Sequence, residues 1–411
     1  MVTDRAILAF SALLLFAYLL DIVGRRYRLP AVVLLIVTGM VARLVLDRLG
    51  AVLAWVDPLV PVMGTIGLVL IVLEGALDLT VTRERGGLIV TAAAASLAGF
   101  LATLGAFTAI FRFLLYFDLD VAILAAIPFA VISSAVAIPA AAGLADKPRE
   151  FIVYESSLSD ILGVLVFYAW VSGEGSFGEF TSDLLGGGAF SLIAALAAGL
   201  ALFYFINQIV GHVRFLPLLA GLVFLYAIGK ALHMSPLIVV LVCGLIINNP
   251  HLVTWHEKLR GIKNDTYEQT LHEFKGLVAE LTFAMKSFFF LLLGYWTDVR
   301  TMLSVKAWLV AIAGIAFILA SRWVILVVLR QRGLRQLIWI APRGLITVLL
   351  FLSARDSGKL DNFPFGAVML VVLVTAALTA LAHSGAAHAQ AAPAAQPEAA
   401  PPPTETSATS T

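Results

Sequence analysis

The sequence consists mainly of apolar runs long enough to cross a lipid bilayer, separated by short segments that carry charge, proline and glycine. A hydrocarbon core about 30 Å thick is crossed by roughly twenty apolar residues in a helix. Lipid offers the backbone no hydrogen-bond partners, so spans of this kind must be helical. Hydrophobic residues make up 61% of the chain, which is more apolar surface than a soluble domain could bury. The sequence therefore predicts an all-α polytopic membrane protein.

Thirteen spans are predicted from the apolar windows and their boundaries. They cover residues 6–24, 29–47, 58–80, 87–111, 119–142, 151–171, 187–210, 215–232, 235–249, 276–297, 304–329, 334–354 and 363–382. Ser133-Ser134 and Pro139 interrupt span five, and Pro342-Arg343-Gly344 interrupts span twelve. Matched interruptions of this kind are typical of broken helices that line an ion site. We expect two such crossing helices, within inverted repeats formed by spans four to six and eleven to thirteen.

The distribution of lysine and arginine predicts the orientation of the chain. One set of loops, including residues 25–28 and 258–263, carries more of these residues than the opposite set. We therefore expect the N-terminus outside and the C-terminus in the cytoplasm of a bacterial plasma membrane. Residues 383–411, rich in Ala, Pro and Thr, are predicted to form a disordered cytoplasmic tail. The net charge of +1, without a basic cluster, argues against nucleic acid as a partner.

Span six contains carboxylates in a region where charge is costly. Ser156, Ser159 and Asp160 share one face at helical spacing, and Glu155 lies on its border. A carboxylate near the middle of a membrane costs about 2.5–3.5 kcal/mol even on the lenient insertion scale. We therefore interpret Asp160 as a functional residue.

Polar and charged side chains from six spans lie at a similar predicted depth. They are Glu74, Ser134, Glu155, Asp160, Lys286, Arg322 and Arg343. Opposite charges at one depth should pair, because an unpaired charge in a membrane is costly. Glu155 is predicted to form a structural salt bridge with Arg343 or Arg322, and Lys286 to be either a counter-charge or a proton carrier. Asp160 is left without a permanent partner.

A carboxylate without a partner can hold a proton or a cation, but not both at once. Competition for such a group couples cation movement to proton movement, which is the chemistry of an antiporter. Further oxygen ligands for the cation, sodium above all and potassium as the alternative, are predicted to come from backbone carbonyls and from Ser133, Ser134, Ser156, Ser159 and Glu74. No cofactor is expected, and the single cysteine excludes an internal disulfide.

Four short motifs resemble one known family, the monovalent cation:proton antiporters, and within it the NhaP-type sodium/proton exchanger branch. Glu155 to Asp160 is similar to the branch's Glu-Ser-x-x-Asn-Asp motif, with Asp160 in the place of the ion-binding aspartate and Glu155 in that of the salt-bridged glutamate. Leu73–Leu77 resembles Phe-Glu-Gly-Gly-Leu, and Ala341–Leu345 resembles Gly-Pro-Arg-Gly-Ile. Leu29-Pro30-Ala31-Val32 resembles the start of the family's second span, and the resemblance extends over residues 1–382.

The resemblance implies an antiporter that works as a homodimer by alternating access. Its moving core would comprise the helices at about 87–171 and 304–382, and the remaining helices would form the scaffold and dimer contacts. Ser159 departs from the family's Asn or Asp, and Ser133-Ser134-Ala135 stands where Thr-Asp-Pro is usual. With Asp160 as the one titrating carboxylate, we expect electroneutral exchange of one proton per cation. Lys286 is similar to a lysine of electrogenic relatives, so its titration would change that stoichiometry.

Other functions fit the sequence less well. A sodium-coupled symporter for an organic anion would keep the fold and use the arginines to bind a substrate carboxylate. An intramembrane hydrolase would need a serine or the Glu155 and Asp160 pair, but no partner base accompanies them in the membrane. A sensor would need an output domain, and no such segment is recognised. We therefore expect a transporter rather than an enzyme.

Overall fold

The computed structural model describes residues 2–27, 29–49, 59–172, 178, 188–208, 215–231, 236–252, 265–331, 333–356, 360 and 363–383. The helices are α1 (Val2–Tyr27), α2 (Ala31–Arg48), α3 (Leu59–Asp78), α4 (Gly86–Leu114), α5 (Leu119–Ala130), α6 (Ser134–Ala141), α7 (Asp146–Ser172), α8 (Gly188–Gln208), α9 (Phe215–Ala231), α10 (Pro236–Asn248), α11 (Asp265–Trp296), α12 (Val299–Met302), α13 (Val305–Val328), α14 (Leu334–Leu337), α15 (Leu345–Asp356) and α16 (Phe365–Leu378). The described residues contain no strand, so the predicted all-α fold is confirmed.

Each predicted span coincides with a helix or with a pair of helices that follow each other. By length and composition, six helical segments among the described residues can cross a membrane, and five shorter helices are also apolar. The chain is therefore a multi-pass membrane protein, while the number thirteen stays a prediction. Almost all of the predicted tail, from residue 384 onward, lies outside the described residues.

Two helices begin earlier than the sequence predicted. Residues 265–275 were predicted as loop, but α11 begins at Asp265. Tyr267 and Phe274 recur on one side of this added segment, and both are buried. Their burial stabilises an amphipathic helix whose charged side chains lie between them. Similarly, α7 begins at Asp146 rather than at residue 151.

The helices pack in two groups. In one group, α4 packs on α5, α7 and α13, while α16 packs on α13 and α15 packs on α5. In the other, α11 packs on α2 and α3, and α10 packs on α3, α8 and α9. Contacts of α3 with α7 and α15 join the groups. The interrupted helices and the polar residues of α7 belong to the first group.

Both predicted interruptions are present, and the unwound segments cross. The first separates α5 from α6 at residues 131–133, and the second precedes Leu345. Ser133 N donates to Pro342 O at 2.9 Å, which joins the two segments directly. The sequence attributed the first break partly to Pro139, but Pro139 lies inside α6. The break is held instead by hydrogen bonds to distant residues, which replace the helical ones.

Residues 79–82, which follow α3, link the two helix groups. A buried side-chain amide, that of Asn249, holds this link in place. Asn249 is fully buried and its Nδ2 donates to the carbonyls of Leu79 at 2.8 Å and Leu245 at 2.9 Å. Its Oδ1 accepts from Val81 N at 2.7 Å. One side chain thus satisfies two backbone groups of the link, Leu79 O and Val81 N, and anchors them to the end of α10 through Leu245 O.

Replacing Asn249 by alanine is expected to lower the stability of the fold by about 1–3 kcal/mol, because buried backbone groups would lose their partners. The measurement is the thermal unfolding of the purified protein in detergent. Asn248→Ala is the matched control, since Asn248 donates to the Leu79 carbonyl that Asn249 also binds. Equal melting temperatures for the two variants would contradict the assigned role.

Candidate functional site

Asp160 lies where α7 passes the break between α5 and α6. Its Oδ2 accepts from the backbone N of Ser134, the first residue of α6, at 3.1 Å. The Ser134 side chain is also within hydrogen-bonding reach. The positive end of α6 thus faces a carboxylate that is 4% exposed. The second oxygen, Oδ1, has no hydrogen-bond partner among the described residues.

Ser159 and Gly163 hold α7 against the unwound segment. Ser159 Oγ accepts from the backbone N of Ile132 at 2.9 Å. A Cβ at Gly163 would lie 2.1 Å from the Val131 side chain, so only glycine allows this approach. The stripe predicted on span six therefore contacts the break, and Ser159 uses its hydroxyl to position backbone.

The other two predicted serine ligands have different surroundings. Ser156 is buried, and its Oγ donates to Ile152 O of its own helix at 2.7 Å. Ser133 is fully buried and its Oγ has no partner among the described residues. A Cβ at Gly344 would come within 2.6 Å of that oxygen, so a glycine is needed where the segments cross. Ser133 is thus the predicted ligand, besides Asp160, that keeps an unpaired buried oxygen.

Glu155 pairs with Arg322 of α13, one of the two arginines predicted for it. The contact is bidentate, with Nη1 to Oε1 at 2.9 Å and Nη2 to Oε2 at 3.0 Å. Both residues are buried. Arg322 Nε also donates to Leu337 O at 2.7 Å, which fixes the end of α14. The pair joins α7 to α13 within the first helix group.

Arg343 is buried and binds backbone carbonyls instead of a carboxylate. Its Nε donates to Phe129 O at 2.6 Å, and its Nη1 donates to Ala341 O at 3.1 Å. The Phe129 carbonyl lies in the last turn of α5, where the helix dipole is negative. Its own backbone N donates to Thr375 Oγ1 at 2.9 Å. Arg343 therefore stabilises the broken end of α5, opposite the end of α6 that Asp160 binds.

Lys286 pairs with Glu74 across α11 and α3. The Nζ to Oε2 distance is 2.8 Å, and both side chains remain partly exposed. The pair lines a cavity of about 540 Å³, which also contacts Asp21, Val136 and Pro139. Asp160 does not line this cavity, although Lys286 is close enough to interact with it electrostatically. The ion pair thus forms part of the cavity wall, and its lysine also acts on Asp160.

These contacts arrange the predicted site into two ion pairs, an arginine bound to backbone carbonyls, and a carboxylate without an ion pair among the described residues. Of the two buried carboxylates in the part of the chain that the structure describes, Glu155 has an arginine and Asp160 has no ion pair. Asp160 can therefore exchange a bound proton for a cation without breaking a salt bridge. Free oxygens at Asp160 and Ser133 are hard ligands suited to an alkali cation.

Two contributors to the site were missed from the sequence. Thr375 binds the backbone of Arg343, and the Phe129 carbonyl binds its side chain. A buried threonine in an apolar span gives no distinct signal, since most such hydroxyls bond to their own helix. A backbone carbonyl gives none at all. A helix that ends at a predicted break leaves carbonyls without helical partners. This was the indication in the sequence that Arg343 would bind carbonyls.

Known proteins resemble this chain in sequence family and in fold. A model of the family described as sodium/hydrogen exchanger, transmembrane, matches residues 11–384. The sodium proton antiporter MjNhaP1 from Methanocaldococcus jannaschii at pH 8 has a similar structure, with a TM-score of 0.70 and 18% sequence identity over 94% of this chain and 98% of the other. A second structure of that antiporter, an electron microscopy map, gives the same score and identity over 96% and 99%. No curated protein sequence gives a significant match.

Proposed function

The chain belongs to the sodium/hydrogen exchanger family, whose members are transporters and not enzymes, and on this basis we propose that it exchanges a monovalent cation for protons at Asp160. Sodium is the expected cation, with potassium as the alternative. The observation that carries the proposal is the buried Asp160 carboxylate, which has no ion pair and keeps one oxygen unpaired within the part of the chain that the structure describes. The protein is expected to lie in a bacterial plasma membrane with its N-terminus outside.

Exchange follows from competition for one group. A cation that binds the Asp160 carboxylate displaces its proton, which leaves to water, and a proton arriving from the other side displaces the cation. The Ser133 and Ser134 hydroxyls and nearby carbonyls supply further oxygens. The helix dipole of α6 stabilises the ionised carboxylate when neither ligand is bound. In the observed structure, Ser159 Oγ accepts from Ile132 N of the unwound segment, and Ser156 Oγ donates to Ile152 O of its own helix.

Access to the site is proposed to alternate between the two sides of the membrane. The helices α4 to α7 and α13 to α16 would move together as a core against the rest, which also forms a homodimer. The 540 Å³ cavity opens beside the α6–α7 link, at the end of the bundle that the loop charges assign to the cytoplasm. With the predicted orientation, this cavity would be the cytoplasmic access route to the site in the proposed cycle.

The ion pairs support electroneutral exchange. Glu155 is neutralised by Arg322, and Glu74 by Lys286, which leaves Asp160, among these three acids of the described site, to carry the exchanged charge. The organic-anion symporter is disfavoured by the same contacts, because it needs an arginine free to bind a substrate carboxylate. Arg322 is engaged by Glu155, and Arg343 by two carbonyls.

The proposed function is tested in proteoliposomes containing the purified protein. Adding NaCl or KCl to acidified vesicles is expected to release protons without any organic substrate, and the more effective salt identifies the cation. On a supported membrane the same exchange is expected to give no current. Proton release that requires an organic anion would favour the symporter, and a sustained current would show that Lys286 or another group also carries charge.

A further inference from the structure

A second cavity, of about 460 Å³, lies at the end of the bundle that the loop charges assign to the outside. Its walls come from α11 of the scaffold and from α15 and α16 of the proposed core, and they include Trp296, Phe351, Arg355 and Phe365. Asp160 is not among the described residues that line it. This cavity, the outer vestibule, therefore ends before it reaches the proposed ion site.

The scaffold wall of the outer vestibule is held by α2. Arg43 Nη1 of α2 donates to the carbonyls of Tyr295 at 3.2 Å and Trp296 at 3.0 Å, at the end of α11. Further along the same contact, a Cβ at Gly39 would lie 2.1 Å from Leu291 O, so a glycine is needed where the two helices approach each other. The end of α11 and α2 are therefore joined as one unit.

The core wall of the outer vestibule belongs to an aromatic cluster. Phe351 packs on Phe363 and Phe365, with 4.7 Å and 5.8 Å between ring centroids. Phe363 also contacts Phe129, with 6.2 Å between centroids, and the Phe129 carbonyl binds Arg343. This wall is therefore connected to the broken end of α5, within the proposed core.

Trp296 makes two contacts that cross from the scaffold to the core. The guanidinium carbon of Arg355 lies 5.6 Å from the centroid of the Trp296 ring, which is a cation–π contact. The Phe365 ring meets the same side chain edge to face, with 5.3 Å between centroids and 82° between planes. One indole thus closes the interface at its predicted outer end, whereas the 540 Å³ cavity lies toward the predicted cytoplasmic end.

We propose that Trp296 is the outer gate of the exchanger and is held closed by Arg355 and Phe365. This rests on the proposed exchange function and on the predicted orientation. Movement of the core against α2 and α11 breaks both contacts, because their partners lie on opposite sides of the moving interface. The outer vestibule then extends toward Asp160 and admits the cation and the proton from outside.

A covalent link across the gate is expected to stop exchange. In a Cys243→Ala background, Trp296→Cys and Phe365→Cys are joined by a short reducible reagent with two thiol-reactive ends. Sodium-dependent proton release from proteoliposomes is expected to fall to that of vesicles without protein, and to return when a reductant cleaves the link. The matched control joins Arg43→Cys to Trp296→Cys. Normal exchange is expected there, because that link lies within the unit of α2 and α11.

A second variant tests the gate without a link. Arg355→Met keeps a long side chain but removes the charge from the Trp296 ring. It is expected to lower the half-saturating sodium concentration at the outer face about two- to fivefold, the effect of one exposed cation–π contact on the population of the outward-open state. Right-side-out vesicles measure it. Arg300→Met is the control for surface charge, because Arg300 is exposed on α12 at the same end of the bundle.

Unchanged exchange by the linked Trp296 and Phe365 pair would overturn the gate, as would equal inhibition by the control pair. An unchanged half-saturating concentration in Arg355→Met would also overturn it, and so would an equal fall in Arg300→Met. In each of these cases exchange by the unsubstituted protein persists and the proposed function stands. Absence of exchange by the unsubstituted protein would refute the proposed function, and the gate with it.

Discussion

Asp160→Asn is expected to abolish sodium-dependent proton release from vesicles while leaving the fold intact. Asparagine has nearly the shape of aspartate, and its side-chain oxygen can still accept from the Ser134 backbone N. It cannot bind a proton and release it at physiological pH, and it lacks the charge that attracts a cation. The exchange rate should therefore fall to that of vesicles without the protein, although the melting temperature should change little.

Ser157→Ala is the control for this substitution. Ser157 is buried on α7 beside Gly75, and its Oγ has no partner among the described residues. Its replacement tests whether any polar change on this helix stops transport, and normal exchange is expected. Residual sodium-dependent exchange by Asp160→Asn would mean that another carboxylate couples the ions, and Glu74 would be the first to examine.

Removing one partner of the Glu155–Arg322 pair is expected to give the largest loss of stability. Glu155→Ala would leave a buried guanidinium without its carboxylate, which costs about 3–5 kcal/mol in comparable pairs. The Arg322 contact with Leu337 would then be insufficient to hold α13 against α14. The measurement is thermal unfolding in detergent, with the yield of folded protein as a second readout.

The Arg85–Glu150 pair provides a control on the same helix. Its nitrogen to oxygen distance is 3.1 Å, but both side chains are over a third exposed. Glu150→Ala should therefore cost only about 0–1 kcal/mol. A double variant with Glu155→Gln and Arg322→Met should recover much of the loss, because no unpaired charge remains. Equal losses of stability in Glu155→Ala and Glu150→Ala would contradict the claim that a buried ion pair matters more to the fold than an exposed one.

The sequence predicted well those features that depend on one helix at a time. The apolar windows predicted the positions of the spans, since length and hydrophobicity decide whether a segment can cross a bilayer. Helical spacing predicted the stripe of Ser156, Ser159 and Asp160, because those residues share a face on any α-helix. Similar depth along the spans indicated that the charged residues could meet, but not which of them would pair. The all-α fold follows from the same argument.

Features that depend on the packing between helices were not predicted uniquely. Arg322 and Arg343 have similar predicted depths, so depth alone left the partner of Glu155 open. The packing of both α13 and α7 on α4 decides it. The break in span five was attributed partly to Pro139, whereas the hydrogen bonds to Ser159 and Pro342 fix it at residues 131–133. The first turns of α11 were predicted as loop because they are rich in charged residues, although Tyr267 and Phe274 on one side of them are buried.

The central claim is that sodium and protons compete for the Asp160 carboxylate, and proton release on binding tests it most directly. Purified protein in detergent and weakly buffered solution is mixed with NaCl, and the released protons are counted per chain with a pH indicator. About half a proton per chain is expected for the unsubstituted protein at the pH at which the site is half protonated, rising toward one at lower pH with saturating sodium, and none for Asp160→Asn. Sodium binding without proton release, or equal release by Asp160→Asn, would contradict competition at this residue.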